Sequence, residues 1–260
     1  MYEELYKPLP DLQAFLKRIG YYKQSVDTAA DLNRLVEKHL CSVPFENLSV
    51  LHGNTEPSIG IEALFEKIVT KKRGGYCFEL NGLFCALLRA MDIAGYPVLS
   101  RVVWNKSFLP PYSHRSAIAT VEGKRWICDV GYGGPCPVGT LCLDTEDVQQ
   151  VRDAFFKVEI IGGNAVIYRK NEGEFKPMLE LNLTPANEVD FIPVNFHVGM
   201  NPKSYFKSKT IVSVFTENGM KCIDGNSFRE TADGKLIRNF DITDEPAMNA
   251  VLKDEFGIVL

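Results

Sequence analysis

The stretch Arg73-Gly74-Gly75-Tyr76-Cys77-Phe78-Glu79-Leu80-Asn81-Gly82-Leu83-Phe84 constrains this chain more than any other. Leu80, Leu83, Phe84, Leu87, Leu88 and Met91 recur at three- and four-residue steps, the apolar stripe of a buried α-helix. Gly74-Gly75 breaks the chain just ahead of the stripe, and Gly95 is expected to stop it. Cys77 therefore falls in the first turn. Counting back from Leu80 and Phe84 puts it on the inward face. The N–H groups of a first turn have no intrahelical acceptor, and the helix dipole adds partial positive charge there. Such a setting favours a thiolate over a thiol, and a neighbouring imidazolium adds to the effect. The competing role, open to any cysteine, is that of a small buried hydrophobe. A partner base elsewhere in the chain decides between the two.

Helical spacing governs residues 1–92. Leu12, Phe15, Leu16 and Ile19 form one short amphipathic series ending at Gly20. Asp27-Thr28-Ala29-Ala30 starts a second, with Leu32, Leu35 and Val36 inward, and a third lies around 61–69. Between them Pro44 interrupts helix in Val43-Pro44-Phe45-Glu46-Asn47-Leu48. Glu46 there is either a solvated loop carboxylate or a buried one paired with a cation, for which Arg73 is the candidate. From 93 to 189 the period becomes alternating. Runs at 98–104, 116–121, 125–130, 155–161, 165–169 and 178–183 predict an antiparallel sheet or barrel. Residues 190–260 mix strands at 210–215, 221–223 and 228–231 with a closing helix at 244–256. Asn195-Phe196-His197-Val198 reads as strand-like. The fold class is α+β in three units: 1–92, 93–189 and 190–260. A chain of 260 residues accommodates such a division.

Composition excludes several functions. A net charge of -4 and a pI near 5.7 argue against a general nucleic-acid binder. No apolar run is long enough to span a membrane, and the acidic start Met1-Tyr2-Glu3-Glu4 is unlike a signal peptide. None of the seven cysteines forms a C-x-x-C pair, and no His/Cys pair has metal-ligand spacing. Reduced thiols in a cytoplasmic protein without a metal fit this pattern.

A nucleophilic cysteine needs a base, and the base needs an orienting group. Of the four histidines, His39 and His52 read as structural or exposed, and His197 is left open. His114 stands at the mouth of a hairpin, just past the Pro110-Pro111 loop. If Glu122-Gly123 is a two-residue turn, Val121 faces Lys124 and Asp129 faces Ser116. His114 then lies on the same face as Asp129, one diagonal step away, about 7–8 Å at the backbone. A one-residue slip would separate them onto opposite faces. Asp129 has a second plausible role, capping the turn at Gly131. The run Gly131-Tyr132-Gly133-Gly134 is either a tight turn or a backbone cradle for a phosphate.

Taken together, these segments resemble the arylamine N-acetyltransferase family. Arg-Gly-Gly-Tyr-Cys-Phe-Glu-Leu-Asn at 73–81 looks like its active-site signature. Val-Pro-Phe-Glu-Asn-Leu at 43–48, His-Arg at 114–115 and Asp-Val-Gly-Tyr-Gly-Gly at 129–134 are similar to further motifs, and Ser204-Tyr205-Phe206 matches a weaker one. The usual aromatic of the 129–134 motif is Phe, where this chain has Tyr132. The resemblance implies a helical bundle, a β-barrel and an α/β lid around a cysteine-protease-like core, with Cys77, His114 and Asp129 as catalytic triad. It implies acetyl-CoA as donor and an aromatic amine or hydrazine as acceptor, with no metal. By position, Phe45, Tyr132 and Phe206 would line the acceptor pocket, and Gly131, Gly133 and Gly134 would lie near the CoA pyrophosphate. A monomer or weak homodimer is expected. Three alternatives share some of these features: a transglutaminase- or peptidase-like Cys-His-Asp enzyme, an amide synthase acting on a biosynthetic intermediate, and a binding protein in which Cys77 only packs.

Overall fold

The computed structural model describes all residues, 1–260. Helix α1 (Leu12–Ile19) starts on the Asp11 carboxylate, which accepts the Ala14 N–H at 2.9 Å, and stops at Gly20. Helix α2 (Ala29–Ser42) opens with a reciprocal capping box between Thr28 and Asp31. Pro44 then forces extended backbone, and a two-residue strand β1 (Phe45–Glu46) follows. Two short helices come next, α3 (Leu48–Leu51) and α4 (Ile61–Phe65), the latter prolonged by a π-turn over Glu66–Thr70. Helix α5 (Cys77–Ala90) is buried without interruption from Cys77 to Leu88. A helix enclosed on every side belongs at the centre of its domain. It ends at Met91, where Asp92 turns the chain with φ 56. Gly95 is thus not the helix stop; it opens the next strand.

Eight strands follow: β2 (Gly95–Val102), β3 (His114–Val121), β4 (Lys124–Ile127), β5 (Leu141–Cys142), β6 (Gln149–Val151), β7 (Ala154–Ile161), β8 (Asn164–Asn171) and β9 (Glu174–Asn182). They form one antiparallel sheet in the order β5-β4-β3-β2-β9-β8-β7-β6. The two edge strands meet through a side chain. The Gln149 carboxamide takes the Cys142 N–H at 2.7 Å and donates to its carbonyl at 2.9 Å, so the sheet is a nearly closed barrel. The β3–β4 turn is Glu122-Gly123, both left-handed at φ 53 and 71, the primed geometry that suits twisted strands. Val121 pairs with Lys124 and Ile118 with Ile127, the register expected from the sequence.

The last third holds α6 (Phe191–Met200), β10 (Ile211–Phe215), β11 (Gly219–Asp224), β12 (Ser227–Ala232), β13 (Lys235–Asp241) and α7 (Glu245–Phe256). Its sheet runs β1-β10-β11-β12-β13, so β1, from the helical region, supplies an edge strand. One expectation fails here. Asn195–Val198 is helical, not strand-like. Phe191, Asn195, Val198 and Gly199 are buried at helical spacing, and four residues are too short a window to separate the periods. Asn195 is buried as a polar anchor: it bonds the Tyr76 hydroxyl, and it donates to the Pro57 carbonyl at 2.9 Å. One apolar cluster of 49 buried residues joins α1–α5 to the barrel, and a second of eight lies between the C-terminal sheet and α7. No helix is long and apolar enough to cross a membrane.

Candidate active site

Cys77 is the first residue of α5 and 2% exposed. Charged groups fix its position from behind. Glu79 accepts the Tyr76 N–H at 3.1 Å and receives Lys67 Nζ on both oxygens at 2.8 and 2.9 Å. Burial raises the Glu79 carboxyl above its ordinary range, with Lys67 opposing. Glu46 accepts Arg73 Nε and Nη2 at 3.1 and 2.8 Å and the Leu48 N–H at 2.8 Å. The buried reading of Glu46, with Arg73 as partner, is therefore the observed one. Two buried carboxylates face two cations, the condition under which buried charge is tolerated. The paired glycines follow from crowding, since a Cβ on Gly74 would lie 2.0 Å from the Pro44 carbonyl oxygen.

His114 is the first residue of β3, and Asp129 lies two residues beyond the end of β4. Counting on from Ile118–Ile127 brings Ser116 opposite Asp129, and the Ser116 hydroxyl donates to Asp129 Oδ2 at 2.9 Å. His114 Nε2 lies 2.6 Å from the same oxygen. The other oxygen, Oδ1, accepts Asn81 Nδ2 at 2.9 Å and the Gly131 N–H at 3.0 Å. Both roles considered for Asp129 are thus filled, one by each oxygen. Burial disfavours a charged imidazole, but the adjacent Asp129 carboxylate and the Cys77 side chain outweigh it and raise His114 above its ordinary range. Burial likewise opposes the Asp129 charge, and His114 with the surrounding donors holds that carboxyl below its ordinary range.

Asn81 was not singled out in the sequence. It donates to the Arg115 carbonyl at 2.6 Å and accepts the Val130 N–H at 2.9 Å, besides its bond to Asp129. The available signal was its place four residues after Cys77, on the same helix face.

A cavity of about 580 Å³ opens onto this group. Phe45, Cys77, His114, Gly131, Tyr132, Gly133, Gly134 and Phe206 all line it, while Asp129 lies behind His114. Its walls are aromatic. Phe45 and Phe206 lie 6.0 Å apart between ring centroids, as do His114 and Tyr132. Lys106, His197 and Lys203 also line it, and no carboxylate does. The glycines are packing elements: a Cβ on Gly131 would lie 2.8 Å from Cys77 Cα, and one on Gly133, at φ 73, would lie 2.6 Å from the Phe45 ring. The Tyr132 hydroxyl is buried with no hydrogen-bond partner. His39 is buried between the rings of Phe15 and Phe84, with neither nitrogen bonded, and burial lowers it to about 3. All seven cysteines are free.

The N-acetyltransferase family model matches residues 28–260. A Salmonella typhimurium arylamine N-acetyltransferase / N-hydroxyarylamine O-acetyltransferase is 30% identical over 249 residues, covering 95% of this chain and 88% of its own. The Escherichia coli arylamine N-acetyltransferase is 29% identical, covering 96% and 89%. Among solved structures, the Salmonella typhimurium arylamine N-acetyltransferase superposes with a TM-score of 0.91 at 29% identity, over 97% of this chain and 92% of that one. The Mycobacterium marinum enzyme, solved in complex with CoA, gives 0.88 at 28% identity, over 95% and 93%. With helices, near-closed barrel and C-terminal sheet shared along almost its whole length, this chain belongs to the arylamine N-acetyltransferase family.

Proposed function

We propose that this chain transfers an acetyl group from acetyl-CoA to arylamines, arylhydrazines and N-hydroxyarylamines, in two half-reactions through an acetyl-Cys77 intermediate. The supporting observation is a buried cysteine at a helix start sharing one aromatic cavity with a histidine held 2.6 Å from a buried carboxylate. Asp129 holds Nε2 of His114, which leaves Nδ1 for the Cys77 thiol. The proton resides on the imidazole and Cys77 reacts as thiolate. The thiolate attacks the acetyl carbonyl carbon, and the oxyanion forms beside the Cys77 N–H, which has no intrahelical acceptor. Collapse breaks the carbon–sulfur bond to CoA, whose thiolate takes the proton from His114. The acceptor nitrogen, or the hydroxylamine oxygen, then attacks the acetyl-cysteine and gives its proton to His114, and the Cys77 thiolate leaves.

In this reading Phe45, Tyr132 and Phe206 hold the aryl ring. The Gly131 N–H is engaged by Asp129, but those of Gly133 and Gly134 carry no hydrogen bond and can meet the CoA pyrophosphate. The three units of chain, 1–92, 93–189 and 190–260, contribute nucleophile, base with orienting carboxylate, and Phe206 respectively.

Intact-protein mass spectrometry after mixing with acetyl-CoA and no acceptor tests the proposal. One acetyl group should appear on Cys77, discharge on addition of an aromatic amine, and be absent from Cys77→Ala. Turnover by Cys77→Ala would overturn it.

A further inference from the structure

Asp129 receives three hydrogen bonds from outside the triad, and one of them, from Ser116, comes from a strand of the barrel. On the paired strands β2 and β3, Ser100 faces His114 and Val98 faces Ser116. Ser100 and Ser116 are therefore diagonal neighbours on one face, and their hydroxyl oxygens lie 2.9 Å apart. Ser116 in turn lies 2.9 Å from Asp129 Oδ2. Both serines have no solvent exposure. The direction of this chain follows from proton counting. An ionised carboxylate has no proton to give, so Ser116 donates to Asp129. A hydroxyl has one proton, so Ser116 can only accept from Ser100.

We propose that Ser116, backed by Ser100, is a positioning residue of the active site, holding the Asp129 carboxylate ionised and its Oδ2 turned toward His114. This rests on the catalytic roles given above to Cys77, His114 and Asp129. The two carboxylate oxygens are anchored from different sides. Asn81, from the nucleophile helix, and the Gly131 N–H hold Oδ1. Only Ser116 joins His114 on Oδ2. Without Ser116, His114 is the one group left on Oδ2, and the buried anion loses one of its four hydrogen-bond partners.

The titratable groups facing Asp129 are His114 from β3 and, along its own segment, Cys128, Tyr132 and Cys136, while Cys77 from α5 faces His114. Burial pushes the Cys128 and Cys136 thiols and the Tyr132 phenol far above their ordinary ranges. None of these three titrates together with the carboxylate. The acid limb of Cys77 reactivity is therefore where loss of the Ser116 bond shows: Asp129 takes up a proton at higher pH, and the imidazolium loses its partner.

The test is the pH dependence of iodoacetamide alkylation at Cys77, read by peptide mass spectrometry, in wild type, Ser116→Ala, Ser116→Thr and Ser100→Ala. This readout needs neither CoA nor an acceptor, so it stands apart from failure of the acetyl-transfer reading. Ser116→Ala should move the acid limb up by about one pH unit, a tenfold loss of reactivity at its foot. Ser116→Thr, which keeps the hydroxyl, should follow wild type, and Ser100→Ala should shift in the same direction by less. Superposition of the Ser116→Ala and wild-type profiles would overturn the proposal. An equal shift in Ser116→Thr would also do so, by assigning the effect to packing. Should Ser116→Ala fail to fold, an unmoved limb in Ser100→Ala would reject the hydroxyl chain.

Discussion

Replacing Gly131 with alanine tests how closely Cys77 depends on its neighbouring loop. The new Cβ would stand 2.8 Å from Cys77 Cα, 2.9 Å from Asn81 Nδ2 and 3.3 Å from the Cys77 carbonyl oxygen. Nonbonded carbons rest at about 3.5–4.0 Å, so loop and helix start must part by roughly 1 Å. Neither neighbour can swing aside, since two of the atoms are backbone and the third belongs to an amide anchored on both Asp129 and Arg115. The Gly131 N–H also holds Asp129 Oδ1, so the shift carries the carboxylate away from His114. Overpacking of this kind costs ~1–3 kcal/mol in stability. A misplacement of about 1 Å at a reacting group costs on the order of 100-fold in rate. Gly131→Ala should therefore fold, melt a few degrees lower, and acetylate Cys77 about 100-fold more slowly in single-turnover mass spectrometry. Gly134→Ala is the control. Its Cβ would meet only the Tyr132 ring, at 3.3 Å, in ordinary backbone geometry. A wild-type rate in Gly131→Ala would refute the packing role assigned to Gly131. Equal losses in both variants would refute it too, and would place the effect in donor contacts along the loop.

Two further outcomes follow from buried polar groups without partners. Tyr132→Phe removes a buried hydroxyl that bonds to nothing; stability should rise by about 1 kcal/mol with acetylation retained, and a lower urea midpoint would show that the hydroxyl is bonded after all. His39 is neutral in the fold because burial lowers it to about 3, against about 6.5 when unfolded. A depressed histidine stabilises the fold fully above the unfolded value and progressively less as pH falls below it, so about 2 kcal/mol should vanish between pH 6.5 and 5. His39→Leu should flatten that part of the stability profile, and an unchanged slope in urea titrations at pH 7 and 5 would contradict the assignment.

What the sequence revealed depended on whether one physical signal dominated. Helix α5 was legible because its apolar stripe runs three turns and its start is marked by paired glycines. The hairpin register was legible because a two-residue turn fixes every later pairing, even though Glu-Gly is a weaker turn signal than Asn-Gly. Strand β13 was missed because all seven of its residues are exposed, so no alternation is written into it. Strand β1 was missed because two residues carry no period, and α6 was read in too short a window. In the site, His114 and Asp129 could be paired by counting. Asn81 and Ser116 could not be assigned, because a small polar residue inside an apolar pattern looks the same whether it orients a carboxylate or merely satisfies itself. The glycines at 131 and 133 read from the sequence as a tight turn or a phosphate cradle, and the structure adds close contacts with Cys77 and Phe45.

The position of β1 ties the aromatic wall to Cys77. Phe45 pairs with Ser213 of β10 on one side and bridges to Gly75 on the other, and the Glu46 N–H donates to the Gly75 carbonyl at 2.9 Å. Gly75 is two residues before Cys77. Next along the chain, Asn47 donates to the carbonyls of Phe206 and Lys209, each at 2.8 Å, and accepts the Ile211 N–H at 2.8 Å. A single seam of backbone thus carries Phe45, holds the segment of Phe206, and ends at the first turn of α5. The Glu46 carboxylate, closed by Arg73 and Lys67, pins the middle of that seam. The cation cluster bears on the aromatic wall of the cavity as well as on the start of α5, because displacing Glu46 would move the Phe45 ring and the Cys77 turn together. A sequence in which Phe45 and Cys77 are separated by thirty-one positions conceals this coupling. It becomes visible only once β1 is seen to lie between a C-terminal strand and the loop that leads into Cys77.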